Sequence, residues 1–238
     1  MTAIKKEWKV QCPALAQELM IVLGAFLVGK LLGLFLTVVT DMPQEFPLGS
    51  VFGIIGLAVV LFCVGGQFVL GLNNAILMSR TRKGFLLGHY VVSTLSLLLC
   101  ALLALVLFVL EVWLIPGMGE AGRQQVQQVL AVVLNPALAA AFLLGGVVLA
   151  NFVGALLARF GKKAFWVLWA LWMFCFLVLP RMMEASEGKD SILTRAGRAL
   201  AGLFTGFSLT AWGVVGLVCT VLAFFATLLM SRHKRAEA

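Results

Sequence analysis

Apolar residues in this chain come in long unbroken blocks, separated by short polar or charged interludes. Six blocks stand out, at about 19–39, 51–72, 89–115, 129–157, 164–180 and 203–230. Several reach or exceed the roughly 20 apolar residues that a helix needs to cross the hydrocarbon core of a bilayer. A backbone inside lipid must satisfy its own hydrogen bonds, so blocks of this length read as helices. The predicted fold class is an all-α polytopic integral membrane protein, with six transmembrane helices in one domain spanning 19–230. The fifth block is the shortest and ends at Pro180; the third, fourth and sixth are long enough to tilt or protrude beyond the lipid. No repeat relates the two halves.

Two segments outside the blocks also carry helical periodicity. Residues 1–18 set Ile4, Trp8 and Leu15 among lysines, the pattern of a helix lying in the membrane interface, with Pro13 as a break before the first span. Residues 190–203 offer Asp190 or Ser191 as an N-cap, then Ile192, Leu193, Ala196, Leu200 and Leu203 at spacings of three and four. That predicts a helix on the outer surface leading into the sixth span. Residues 231–238 form a polar tail.

Composition removes the soluble alternative. Of 238 residues, 62% are hydrophobic and 12% charged, with mean hydropathy +1.08, whereas soluble domains carry roughly 25% charged residues. The net charge of +8 then bears on topology, and nucleic acid is not an expected partner. Twelve of the 18 cations fall in the N-terminal segment, the 71–88 loop, the loop after span four and the tail, whereas five fall on the other side and Lys30 lies within span one. The positive-inside rule places both termini in the cytoplasm. Cys63, Cys100, Cys175 and Cys219 lie inside apolar blocks, Cys12 lies before them, and no CxxC spacing occurs; these read as structural thiols. The apolar run after the N-terminal segment is long and lacks a small-residue cleavage site, so the first span is expected to be retained.

The candidate chemistry is sparse. Gly24–Leu31, "GAFLVGKL", matches GxxxxGK, but Leu31 stands where a magnesium-holding Ser or Thr belongs, and no strand precedes it. Gly29 and Gly33, spaced GxxxG, instead open a close-packing face on span one. Lys30 lies about 16 Å into that span at 1.5 Å per residue, where it either lines a polar part of a translocation path or snorkels. Its one evident counter-ion on the membrane side is Glu111, near the outer end of span three, and the difference in depth argues against direct pairing. The spans contain no clear buried Asp or His and no Glu besides Glu111, with His89 and His233 near the cytoplasmic boundary. That argues against a proton relay, a metal site or any catalytic residue in this chain, and the energy for transport is expected from elsewhere. Trp166, Trp169 and Trp172, followed by Phe174 and Phe176, make either an interfacial belt or an aromatic wall for an apolar or amphipathic substrate. Asn135-Pro136 and Asn151 read as kink and interhelical hydrogen-bonding features within span four.

Between spans two and three, "ILMSRTRKGFLLGHY" interleaves apolar anchors with three cations. Together with six spans and an amphipathic N-terminus, this stretch resembles the short permease subunits of ABC-2 type transporters of Gram-positive bacteria. They carry a serine-arginine or threonine-arginine pair, a further basic residue and then an aromatic at this position. Here these are Ser79, Arg80, Thr81, Arg82, Lys83 and Phe85. The resemblance implies a permease dimer, of two identical copies or paralogues, in the bacterial cell membrane, bound to two separately encoded cytoplasmic ATPase subunits. ATP and magnesium would be bound by the ATPase, with no cofactor held by this chain. Residues 73–84 would form a coupling helix, with Ile76, Leu77, Met78, Ser79, Arg80, Thr81, Arg82 and Lys83 facing the ATPase. The cargo implied is an amphipathic peptide, such as a phenol-soluble modulin-type toxin or a bacteriocin-like peptide, or an apolar small molecule. The alternative is a membrane sensor or immunity scaffold that binds a peptide without moving it.

Overall fold

The computed structural model describes residues 3–40, 47–77, 81–114, 124, 126–127, 130–131, 135–174 and 209–233. Among the described residues the regular structure is helical: α1 (Ala3–Thr40), α2 (Leu48–Leu77), α3 (Arg82–Leu114), α4 (Pro136–Phe160), α5 (Lys162–Met173) and α6 (Leu209–His233). Five of these, α1 to α4 and α6, contain stretches long and apolar enough to cross a bilayer. The chain is a multi-pass helical membrane protein. α5 covers only 12 residues, so the span expected at 164–180 lies partly outside the described residues. The outer helix expected at 190–203, and most of the tail, lie wholly outside them.

α1 departs from expectation. No break separates residues 1–18 from the first span: α1 is one helix of 38 residues with Pro13 inside it. Pro13 denies the Lys9 carbonyl its helical donor, but the helix is held on both sides of that gap. Gln11 reaches His89 on α3, and Glu18 accepts from Gln67 on α2 and Ser96 on α3. Tertiary contacts therefore fix the direction of the N-terminal segment.

Asn135-Pro136 starts a helix where a kink was expected. Pro136 is the first residue of α4, where its missing N–H costs nothing and its fixed φ suits the first turn. The Asn135 carbonyl accepts from the Ala139 N–H at 2.9 Å. At the other end of α4, Gly161 has φ of 57°. A Cβ there would meet only open space, so the requirement for glycine is conformational, and the left-handed residue separates α4 from α5.

α1 packs on α2 and α3, α2 on α3 and α4, α4 on α6, and α5 on α4. Contacts fix the directions: α1 runs parallel to α3, through Gln11–His89 and Glu18–Ser96. It runs antiparallel to α2, because Glu18 meets Gln67 while Gly29 meets Leu48 and Phe52. Lipid tails are as apolar as leucine, so these helices associate through close packing and polar contacts rather than by leaving water. The closest approach is α2 against α4: a Cβ on Gly65 would sit 2.8 Å from the Ala150 carbonyl oxygen, and one on Gly154 would strike the Gly65 carbonyl. Val22, Leu57, Val60, Leu97, Cys100 and Val147 form an interior cluster from α1, α2, α3 and α4. One end of the bundle, here called the basic end, gathers Lys5, Lys9, Arg82, Lys83, Arg159, Lys162 and Lys163.

Candidate functional site

At about 100° per residue, Glu7, Gln11 and Glu18 lie within about 40° of one another around α1. His89, Ser93, Ser96 and Glu111 share one face of α3 by the same count. These two polar stripes face each other. Glu7 and Glu18 are each 2% exposed and His89, Asn151 and Glu111 are fully buried, whereas Met20 on the other side of α1 is 66% exposed. The N-terminal half of α1 thus turns its acid and amide stripe inward, with Lys5 and Lys9 exposed on the far side.

Three polar clusters follow along the seam. Nearest the basic end, Gln11 Nε2 donates to Glu7 Oε1 at 2.9 Å and lies 2.6 Å from His89 Nδ1. On the other side of the ring, His89 Nε2 lies 3.1 Å from Asn151 Oδ1 on α4. With Gln11 donating to Nδ1, the imidazole carries its proton on Nε2 and donates to Asn151, which accounts for both ring nitrogens. Phe85 stacks on the imidazole at 5.3 Å between centroids, and Phe68 meets it edge-on at 5.4 Å.

Seven residues beyond Gln11 along α1, the Glu18 carboxylate takes Gln67 Nε2 at 2.7 Å on one oxygen and the Ser96 hydroxyl on the other. The third cluster lies at the far end. There Glu111 accepts from the backbone N–H groups of Gly49 and Ser50 at 3.1 and 2.7 Å, from the Ser50 hydroxyl at 2.5 Å, and from Lys30 Nζ at 3.4 Å. A carboxylate from α3 therefore caps the first turn of α2, where free N–H groups and the helix dipole both favour negative charge.

These clusters overturn two expectations. The spans do hold buried ionisable groups besides Glu111, namely Glu7, Glu18 and His89. Lys30 and Glu111 do pair. Counted from the Gln11–His89 contact, Lys30 is 19 residues up α1 and Glu111 is 22 up α3, a mismatch of about 4.5 Å at 1.5 Å per residue. A lysine stem spans that distance. The signal for the missed groups was present in the sequence as the polar spacing 7, 11, 18 facing 89, 93, 96.

The other expected site residues are dispersed. Trp166, Trp169 and Trp172 are 61%, 47% and 48% exposed on α5, a helix with no buried residue; the first two rings pack edge to face at 5.8 Å. Lys30 belongs to the α1–α3 seam, and α5 packs on α4. The structure does not gather these four residues into one path. Gly29 lies against α2, where a Cβ would sit 2.6 Å from the Leu48 carbonyl oxygen, and Gly33 is buried.

Between α2 and α3 the chain makes a short elbow. Residues 73–77 are the last turn of α2 and Arg82 opens α3; Met78, Ser79 and Arg80 lie outside the described residues. Ile76 packs against the cluster of Phe68, Leu72, Ala75, Phe85, Leu86 and Ala155. The Phe85 ring fills the space beside Gly71, where a Cβ would meet it at 2.9 Å. Arg82 Nη1 donates to the Ser231 carbonyl near the end of α6 at 3.3 Å. Leu77, Thr81 and Lys83 are exposed. The elbow is thus anchored inward on Phe85 and Arg82 and presents Leu77 and Lys83 outward.

Comparison of the chain with protein-family models, with curated proteins and with solved structures gives no match.

Proposed function

We propose that the chain is the permease subunit of an ATP-driven exporter of the ABC-2 kind, moving an apolar small molecule or an amphipathic peptide across the bacterial cell membrane. In this reading the basic end faces the cytoplasm, as the positive-inside rule favours. Two copies of the chain, or this chain and a paralogue, assemble with two ATPase subunits that hold ATP and magnesium.

The observation that carries the reading is the elbow. A cytoplasmic ATPase seated on Leu77, Lys83 and the residues between them would push on a rigid lever. Phe85 passes that displacement to Phe68 and His89, His89 to Gln11 on α1 and Asn151 on α4, and Arg82 to α6. A contact made at one exposed turn thereby reaches five helices. A bilayer surface would also attract the cations here, but it would not require Arg82 to be braced from inside.

The test uses substitutions at the exposed tip, because Arg82 also serves the bundle. Leu77→Glu with Lys83→Glu is expected to leave expression and thermal stability unchanged. Co-purification of an ATPase subunit, and the ATP hydrolysis that accompanies the wild-type chain, should be lost. Wild-type chain that purifies from its own membranes with no ATPase, or moves labelled peptide into vesicles without ATP, would refute the reading. Peptide binding with no flux under any energised condition would favour the sensor or immunity scaffold.

A further inference from the structure

The three buried carboxylates are not equivalent. Glu111 has an ammonium group and the first turn of a helix. Glu7 takes the Gln11 amide and lies 3.8 Å from the His89 ring. Glu18 faces two neutral donors only, the Gln67 amide and the Ser96 hydroxyl, and no ion pair to it occurs among the described residues. It is also reached from outside the bundle. A narrow crevice with a cavity volume of about 10 Å³, room for about one water, lies between α1, α2 and α3, lined on its polar side by Gln11, Glu18, Gln67 and Ser96, with Trp8 and the exposed Cys12 also on its wall.

We infer that Glu18 is a proton-binding site, loaded and unloaded by water through this crevice. The inference stands whether or not an ATPase drives the chain. A carboxylate charge in an apolar bundle is costly when only neutral dipoles face it, and an intramembrane acid of this kind marks a proton or ion path. The partners suit both protonation states. Ser96 donates its hydroxyl hydrogen to the ionised carboxylate; when Glu18 carries a proton, the same hydroxyl rotates and accepts from it, because a serine oxygen both donates and accepts. The Gln67 amide donates to the other oxygen in either state. One hydroxyl rotation accommodates the added proton.

The titratable groups nearest Glu18 are thiols, and Glu18 is the carboxylate that lines the crevice. On α2 the titratable neighbour is the Cys63 thiol, on α3 the Cys100 thiol, and on α1 itself Cys12. At 1.5 Å per residue, Glu7 stands about 16 Å and His89 about 10 Å away towards the basic end, and Lys30, the partner of Glu111, about 18 Å the other way. Neither pair touches Glu18.

Infrared difference spectra of the full chain in liposomes, recorded from alkaline to acidic pH, test this directly. A C=O stretch of a buried protonated carboxyl should rise as pH falls, persist in Glu7→Gln and Glu111→Gln, and vanish in Glu18→Gln. Ser96→Ala should keep the band and shift its frequency, because the carboxyl loses its hydroxyl partner. That second variant decides the matter should Glu18→Gln fail to fold. Absence of a buried-carboxyl band, a band of constant size at every pH, or one indifferent to Ser96→Ala would overturn the assignment.

Discussion

Glu111 offers the sharpest test of how this bundle is held. Four donors converge on it, and only one, Lys30, is a charge. If Glu111 acts chiefly as the cap of α2, removing Lys30 should cost little. Lys30→Met deletes a single 3.4 Å contact from a side chain that is 23% exposed, a loss of about 1 kcal/mol. Glu111→Ala instead strands the Gly49 and Ser50 N–H groups in a dry interior, at about 1–3 kcal/mol each, and removes the negative charge from the helix start, for about 0.3–2 kcal/mol more. Glu111→Gln falls between, since it keeps one acceptor oxygen and turns an NH₂ group towards the remaining donors.

The expected order of cost is therefore Glu111→Ala, then Glu111→Gln, then Lys30→Met. The first should exceed the last by about 1–7 kcal/mol. Interhelical hydrogen bonds in membrane proteins average only about 0.6 kcal/mol, because the unfolded chain finds other partners, so the order is a firmer criterion than any single value. Stability would be read from SDS titration of the detergent-solubilised chain followed by circular dichroism. A double-mutant cycle with Lys30→Met and Glu111→Gln should give a coupling of about 1 kcal/mol or less. If Lys30→Met proves as damaging as Glu111→Ala, the capping argument is wrong and the ion pair dominates.

Three further outcomes follow from the packing. Pro13→Ala should raise stability, by up to about 3 kcal/mol, because the continuous α1 regains the hydrogen bond to the Lys9 carbonyl; a lower SDS midpoint would mean that the segment needs its break. Gly154→Leu should drive α2 and α4 apart at the Gly65 carbonyl and destabilise by more than about 1–3 kcal/mol, seen as loss of the monodisperse peak in size-exclusion chromatography; an unchanged elution profile and melting curve would contradict that close contact. Cys12, exposed on the first turns of α1, should react with a water-soluble maleimide, whereas the fully buried Cys100 should not until detergent unfolding, as read by mass mapping of intact membranes; protection of Cys12 together with labelling of Cys100 would invert the packing of α1.

The helical blocks were legible because twenty apolar residues in a row leave the backbone few options. The seam is not legible in the same way, because polar residues beside those blocks read as their ends. Glu18 stands one position before the first block as drawn, and His89 at the first position of the third. By hydropathy both fall at a boundary, yet the helices run on past them, α1 from Ala3 and α3 from Arg82. Lys30 and Glu111 were identified individually, but their depths were measured from those misplaced ends, so the pairing was discounted.

Amphipathic periodicity on its own fixes the faces of a helix but not which face points inward. In water the stripe Glu7, Gln11, Glu18 would face solvent. Beside lipid the preference reverses, provided that a neighbouring helix supplies matching donors and acceptors. α3 supplies them, with His89 and Ser96 each 78 residues on from their partners Gln11 and Glu18, and Glu111 81 residues on from Lys30. That near-constant offset means that α1 and α3 lie parallel and in one register along their shared length. A slide of one helical turn between them would break all three contacts together. Its α2–α4 contact, by comparison, rests on facing glycine backbones at Gly65 and Gly154, a seam that shape alone maintains. Motion in this bundle is therefore cheaper between α2 and α4 than between α1 and α3, and the elbow joining α2 to α3 stands on the boundary between the two.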